Sequence, residues 1–146
     1  MDKNLVDANN EIPLFSLEGT FCKCKVVDVY DGDTCKVVFP LNDKLVRWNV
    51  RLSGYDTPEM RPSKSKPNRD QEILAAKAAK KFLMEQVMND PKQLVYIKCG
   101  EFDKYGRLLG ELYLTEEQVN SVNQMMIDNN HGYVYDGGTK KDFGKK

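Results

Sequence analysis

One stretch of the chain, residues 70–89, repeats apolar side chains at helical spacing long enough to make a substantial helix, and β-like runs flank it on both sides. Ala75, Ala78, Ala79, Phe82, Leu83 and Val87 recur about every third or fourth position, with lysines opposite, so one stripe can face a core while the other meets water. The short polar residues Asn68 and Asp70 suit the start of that helix, and Asp90-Pro91 stops it. Upstream, residues 20–30 are rich in Phe21, Val26, Val27, Val29 and Tyr30 and predict a strand. Asp31-Gly32 predicts a tight turn, Cys35-Lys36-Val37-Val38-Phe39 a second strand, and residues 45–52 a third with Val46, Trp48 and Val50 on one side. Gly54, Pro58, Pro62 and Pro67 make residues 53–69 a loop. Downstream, residues 94–102 and 108–114 predict a hairpin around Asp103-Lys104-Tyr105-Gly106, followed by a short helix over 121–129. The order β-β-β-α-β-β-α predicts an α+β fold that is mainly β: a five-stranded OB-fold barrel with two or three helices, an architecture widely used to bind nucleic acid.

At 146 residues the chain has room for one domain, divided here into an N-terminal arm (1–19), the barrel domain (20–136) and a basic C-terminal tail (137–146). Within the arm, Ile12, Leu14 and Phe15 are expected to pack on the body. No apolar run approaches the roughly 18–20 residues that span a bilayer, and acidic residues interrupt positions 1–20, so neither a membrane anchor nor a secretory signal is expected. The expectation is an intracellular monomer. Cys22, Cys24, Cys35 and Cys99 match neither a zinc ribbon nor a disulfide framework; alternation of Cys22 and Cys24 with lysines predicts small thiols on the buried face of a strand. Twenty-two basic residues balance 22 acidic ones, so any attraction for a polyanion has to be local.

Three clusters can carry chemistry, and each alone has a plain structural reading. Asp31-Gly32-Asp33-Thr34 is also an ordinary hairpin turn and lacks the spacing of an EF-hand; Asp56-Thr57-Pro58-Glu59 is also a capped turn; Lys104-Tyr105-Gly106-Arg107 is also a solvated loop tip. Strand ends converge in a closed barrel, however, and Asp33 with Asp56 would then form an all-oxygen site suited to a hard cation such as Ca²⁺. Arg51 and Arg107 beside such an ion need an anion between them, and a phosphodiester matches the paired donors of arginine. The single histidine, His131, excludes a two-histidine ribonuclease mechanism, and no phosphate-binding Gly-x-x-x-x-Gly-Lys loop is present. That leaves a carboxylate, a metal-bound hydroxide or water as the base, with Glu59 the best candidate.

Asp31-Gly32-Asp33-Thr34, Arg51-Leu52, Asp56-Thr57-Pro58-Glu59 and Asp103-Lys104-Tyr105-Gly106-Arg107 stand in the order found in the staphylococcal nuclease (thermonuclease) family, which the chain resembles from about residue 25 to 130. The resemblance implies a Ca²⁺-dependent nuclease acting on DNA and RNA, with single strands preferred. It implies that Asp33, Asp56 and the main-chain carbonyl of Thr57 bind the ion. Glu59 would activate water, Arg51 and Arg107 would hold the phosphate, and Lys104 and Tyr105 would line the nucleotide pocket. Products would carry 3′-phosphate and 5′-hydroxyl ends. A different class, a non-catalytic nucleic-acid- or protein-binding module of the same fold, remains open; it would not need the full set of five side chains. The chain departs from longer members in having only eleven residues after Tyr135, and Asn130 stands where a glycine often closes the second helix. The Tyr-x-Gly-Gly ending resembles viral and phage forms. Arg61, Lys64, Lys66 and Arg69, with no acid among residues 60–69, are expected either as a solvated loop or as a funnel for the polyanion.

Overall fold

The computed structural model describes residues 2–135, with side chains from residue 4 onward. Five strands close a barrel: β1 (Phe21–Asp31), β2 (Thr34–Leu41), β3 (Lys44–Leu52), β5 (Val95–Phe102) and β6 (Leu108–Tyr113), in the order β1-β2-β3-β6-β5. All contacts are antiparallel except β3 with β6, which run parallel through Val50↔Leu108, Arg51↔Leu109 and Leu52↔Gly110. The inward positions of β3 are those expected, Val46, Trp48 and Val50, and Trp48 stacks on Phe39 of β2 with ring centroids 5.1 Å apart. Val37, Val50, Leu52, Ile97, Leu108 and Leu112 fill the barrel and are fully buried.

Helix α2 (Arg69–Val87) connects the third barrel strand to the fourth, and α3 (Val122–Asp128) follows the last. The face of α2 differs from the expected stripe. Glu72, Ala76, Ala79, Leu83 and Val87 are buried, whereas Ala75 is half-buried and Ala78 exposed. A run of alanines gives the helix no phase of its own; Leu83 and Val87 set it. Nor does Asn68 cap through its side chain. It adopts a left-handed φ of 60° with no side-chain cap bond, and its carbonyl accepts the Glu72 N–H. Helix α3 begins as its sequence suggests, with Ser121 Oγ accepting the Gln124 N–H. Buried Asn123 ties α3 to the barrel: its amide nitrogen donates to the Ser53 and Gly110 carbonyls, and its oxygen accepts the Leu112 N–H.

Two further differences concern loop and arm. Residues 53–69 are not all loop, because Tyr55–Asp56 forms β4, which pairs with β7 (Tyr133–Val134). In the arm, Asp2–Val6 is a short helix α1, and Ile12, Leu14 and Phe15 are exposed at 64%, 93% and 62% rather than packed. Phe15 meets the Phe102 ring, and Leu17 is buried in the core and anchors the segment. All four cysteines are free, Cys22 half-buried and the others buried. His131 packs on Phe82. Asn130 takes the left-handed φ of 63° expected of it. The basic tail 137–146 lies outside the described residues. Among the described residues no helix is long and apolar enough to cross a membrane.

Candidate active site

The turn between β1 and β2 carries the first acids. Asp31 Oδ1 accepts the N–H of Asp33, which closes the turn. Gly32 sits where the turn, α2 and the 56–59 segment meet: a Cβ there would lie 2.9 Å from both Ala79 Cβ and Thr57 Cγ2, so only glycine fits without displacing one of them. The end of β3 holds this turn from the other side, since Leu52 N–H donates to the Asp33 carbonyl. Tyr55, fully buried, donates its hydroxyl to the Gly32 carbonyl at 2.7 Å. The two acid-bearing segments are thereby fastened to each other.

Asp33 and Asp56 are both buried and converge on one guanidinium. Arg51 Nη2 lies 3.5 Å from Asp33 Oδ2 and 3.4 Å from Asp56 Oδ1, and the arginine also donates to the Leu52 and Tyr55 carbonyls. Thr57 belongs to the same knot, its hydroxyl donating to Asp33 Oδ2 at 3.2 Å and its N–H to Asp56 Oδ1 at 3.1 Å. Burial alone would raise Asp33, but the charge of Arg51 and hydrogen bonds from Asp31, Asp56 and Thr34 outweigh it and hold the carboxyl below its ordinary value. Asp31 goes the other way. Burial, then the neighbouring Asp33, push it up to about 7. Asp31, Asp33 and Asp56 thus crowd around one guanidinium, and an all-oxygen set of this kind fits a hard cation. Among the described residues no three His, Cys, Asp or Glu side chains form a ready-made metal cage; the fit rests on two carboxylates and a backbone carbonyl.

Glu59, Asp33, Asp56, Arg51 and Arg107 all line one open cleft of about 430 Å³, with Tyr30, Asp31 and Arg61 at its edges. Arg51 and Arg107 also line an adjoining cleft of about 620 Å³ with Lys104, Tyr105, Leu109, Glu111 and Tyr135. The two arginines thus form the wall between a carboxylate-rich cleft and a larger, partly aromatic one. The β5–β6 turn orients Arg107: Asp103 accepts the N–H groups of Tyr105 and Arg107 at one oxygen and Arg107 Nε at the other, 2.8 Å away. Burial opposes ionisation of Asp103, but these bonds keep it below its ordinary value. Lys104 Nζ and Arg107 Cζ lie 5.2 and 5.6 Å from the centroid of the exposed Tyr105 ring.

Every residue of the expected catalytic, metal-binding and substrate-binding set (Arg51, Glu59, Arg107, Asp33, Asp56, Thr57, Lys104 and Tyr105) borders one or other of these clefts. The basic loop is divided in its roles. Lys66 pairs with Glu72 at 3.0 Å and Arg69 donates to the Pro62 carbonyl, whereas Arg61 and Lys64 are exposed. One participant escaped sequence reading. Glu72, buried on α2, accepts the Glu59 N–H at 2.9 Å. Tyr133, paired with Asp56 through β4–β7, stands among acids; burial, then Asp56, Glu72, Glu59 and Asp33, push its hydroxyl up to about 12.

No curated protein matches the chain. The family model described as staphylococcal nuclease homologue matches residues 49–145, which include Arg51, Asp56, Glu59 and Arg107 but not Asp33, whose place beside them comes from the barrel geometry. With two thirds of its length matched by that model, the chain belongs to the staphylococcal nuclease homologue family.

Proposed function

We infer that the chain is a Ca²⁺-dependent nuclease that hydrolyses phosphodiester bonds of DNA and RNA, single strands preferred. The observation that carries this reading is the convergence of Asp33 and Asp56 on Arg51 in a cleft that Glu59 and Arg107 also line. Asp33, Asp56 and the Thr57 carbonyl would hold the ion, which when bound supplies a Lewis acid for charge on the phosphoryl oxygens. Arg51 and Arg107 are each fixed by carboxylate partners before substrate arrives, so they can meet the phosphate without reorganisation. Glu59 takes a proton from the attacking water. The new bond forms at phosphorus, the bond to the 5′ oxygen breaks, that oxygen takes a proton from solvent water, and the products carry a 3′-phosphate and a 5′-hydroxyl. Lys104 and Tyr105 border the larger cleft, where an aromatic ring and a cation suit a nucleoside phosphate. Its volume of about 620 Å³ is that of an ordinary small-molecule site.

The test is cleavage of single-stranded DNA, duplex DNA and RNA by the purified chain, with Ca²⁺ or EGTA, beside Glu59→Gln. Ca²⁺-dependent cleavage that Glu59→Gln slows by about 10²-fold or more supports the reading. Binding without cleavage would instead identify a non-catalytic nucleic-acid module.

A further inference from the structure

The buried stripe of α2 starts with a carboxylate. Glu72 is only 1% exposed and shares its face with Ala76, Ala79, Leu83 and Val87, where an unpaired charge would be costly. Its two oxygens have separate partners, both on the loop that leads from Glu59 to the helix. Oε2 accepts the N–H of Glu59 at 2.9 Å, and Oε1 meets Lys66 Nζ at 3.0 Å. The backbone N–H of Glu72 in turn donates to Asn68. One rigid helical residue therefore grips the preceding loop at Glu59, at Lys66 and, through its own N–H, at Asn68.

Strand β4 stops at Asp56, so the pairing that orders the acids ends three residues short of Glu59. Past Thr57 the Glu59 N–H is tied to Glu72. A carboxylate acceptor makes that bond stronger than a neutral one would be, and Lys66 supplies the countercharge.

We propose that Glu72 is a positioning residue: its carboxylate, neutralised by Lys66, clasps the Glu59 backbone to α2 and so sets where the Glu59 side chain enters the cleft. This rests on the nuclease reading for its kinetic consequence, though not for the clasp itself. Glu72 touches no reacting atom. Its effect falls on turnover, since displacing a reacting group by about 1 Å can cost about 10²-fold.

The test separates clasp from chemistry. By amide hydrogen exchange on the full chain, the Glu59 N–H should exchange at least about tenfold more slowly than its unfolded rate, the protection one charged-acceptor bond gives. Glu72→Met, which fills the space but accepts nothing, should abolish that protection while leaving Thr57, held by Asp56, unchanged. Glu72→Gln, which keeps an acceptor oxygen, should retain it. In Ca²⁺-dependent cleavage Glu72→Met should lower kcat about 10- to 100-fold with KM altered less than about threefold, and Glu72→Gln should recover most of the loss. A Glu59 amide unprotected in the wild-type chain overturns the proposal without any variant. So do protection unchanged in Glu72→Met, or a loss appearing in KM instead of kcat. If the wild-type chain cleaves nothing, the nuclease reading fails and the exchange pattern alone decides the clasp.

Discussion

The hydroxyl of Tyr55 donates to the carbonyl of Gly32 at 2.7 Å, and this buried bond joins the turn bearing Asp33 to the strand bearing Asp56. Tyr55→Phe keeps the ring but leaves the Gly32 oxygen without that donor. The expected cost is about 1–3 kcal/mol, the penalty for orphaning a buried acceptor, measured by urea denaturation. An unchanged midpoint would mean the bond is replaced by water.

Arg107 and Lys104 share a loop but not a role. Arg107 borders both clefts, whereas Lys104 borders only the larger. Arg107→Ala should slow single-turnover cleavage by about 10²–10³-fold, the loss typical of one preorganised donor to a developing oxyanion. Lys104→Ala, which removes an exposed cation, should cost less than about tenfold and be milder at high salt. Equal losses in single-turnover rate would contradict this ranking.

On the nuclease reading, Ca²⁺ held by Asp33 and Asp56 should add to stability. Ca²⁺ at about a hundred times its dissociation constant should stabilise the chain by about 2.7 kcal/mol. For a domain of this size that raises the thermal midpoint by several degrees, and EGTA should reverse it. Asp56→Asn should remove most of the shift. A shift of full size in that variant would eliminate Asp56 as a ligand.

Much of this arrangement could be read from residue order. Asp31-Gly32 marked a turn, Val46, Trp48 and Val50 phased β3, and Ser121 capped α3, because each signal is local and acts through the residue that carries it. What stayed hidden depended on partners far along the chain. Glu72 looks like any solvated helical acid until Lys66 and the Glu59 amide arrive beside it. Tyr55–Asp56 is too short to show a period, and its partner Tyr133–Val134 lies 78 positions away. Alanines 75, 76, 78 and 79 fit either side of the helix. Apolar residues in the arm suggested packing, yet Leu14 is 93% exposed, since hydrophobicity states a tendency and not a contact.

Buried thiols give a stability profile with a definite sign. Burial, then Asp31, Asp28 and Asp33, push Cys35 from 9.0 up to about 12, and burial raises Cys99 to about 11. Below pH 9 both states hold these protons and the thiols contribute no slope. Between 9 and 11 the unfolded chain has lost protons that the folded chain keeps, so stability falls as pH rises, by about 1.4 kcal/mol per unit for a fully buried thiol. Urea midpoints measured from pH 8 to 10.5 check this, and Cys35→Ala should flatten the decline. Iodoacetamide at pH 8 should label Cys35 slowly until the chain is unfolded.

The parallel seam between β3 and β6 is only three rungs long, yet it places Arg51 beside Leu109 across 58 positions of sequence. The seam joins strands separated by α2 and the β5–β6 hairpin, a long-range contact that closes more slowly than local turns. A chain that stopped before Arg107 would hold both carboxylates and lack the second arginine of the cleft. On the nuclease reading, the grip on phosphate is complete only when this seam has brought the strand of Arg51 beside the strand that follows Arg107.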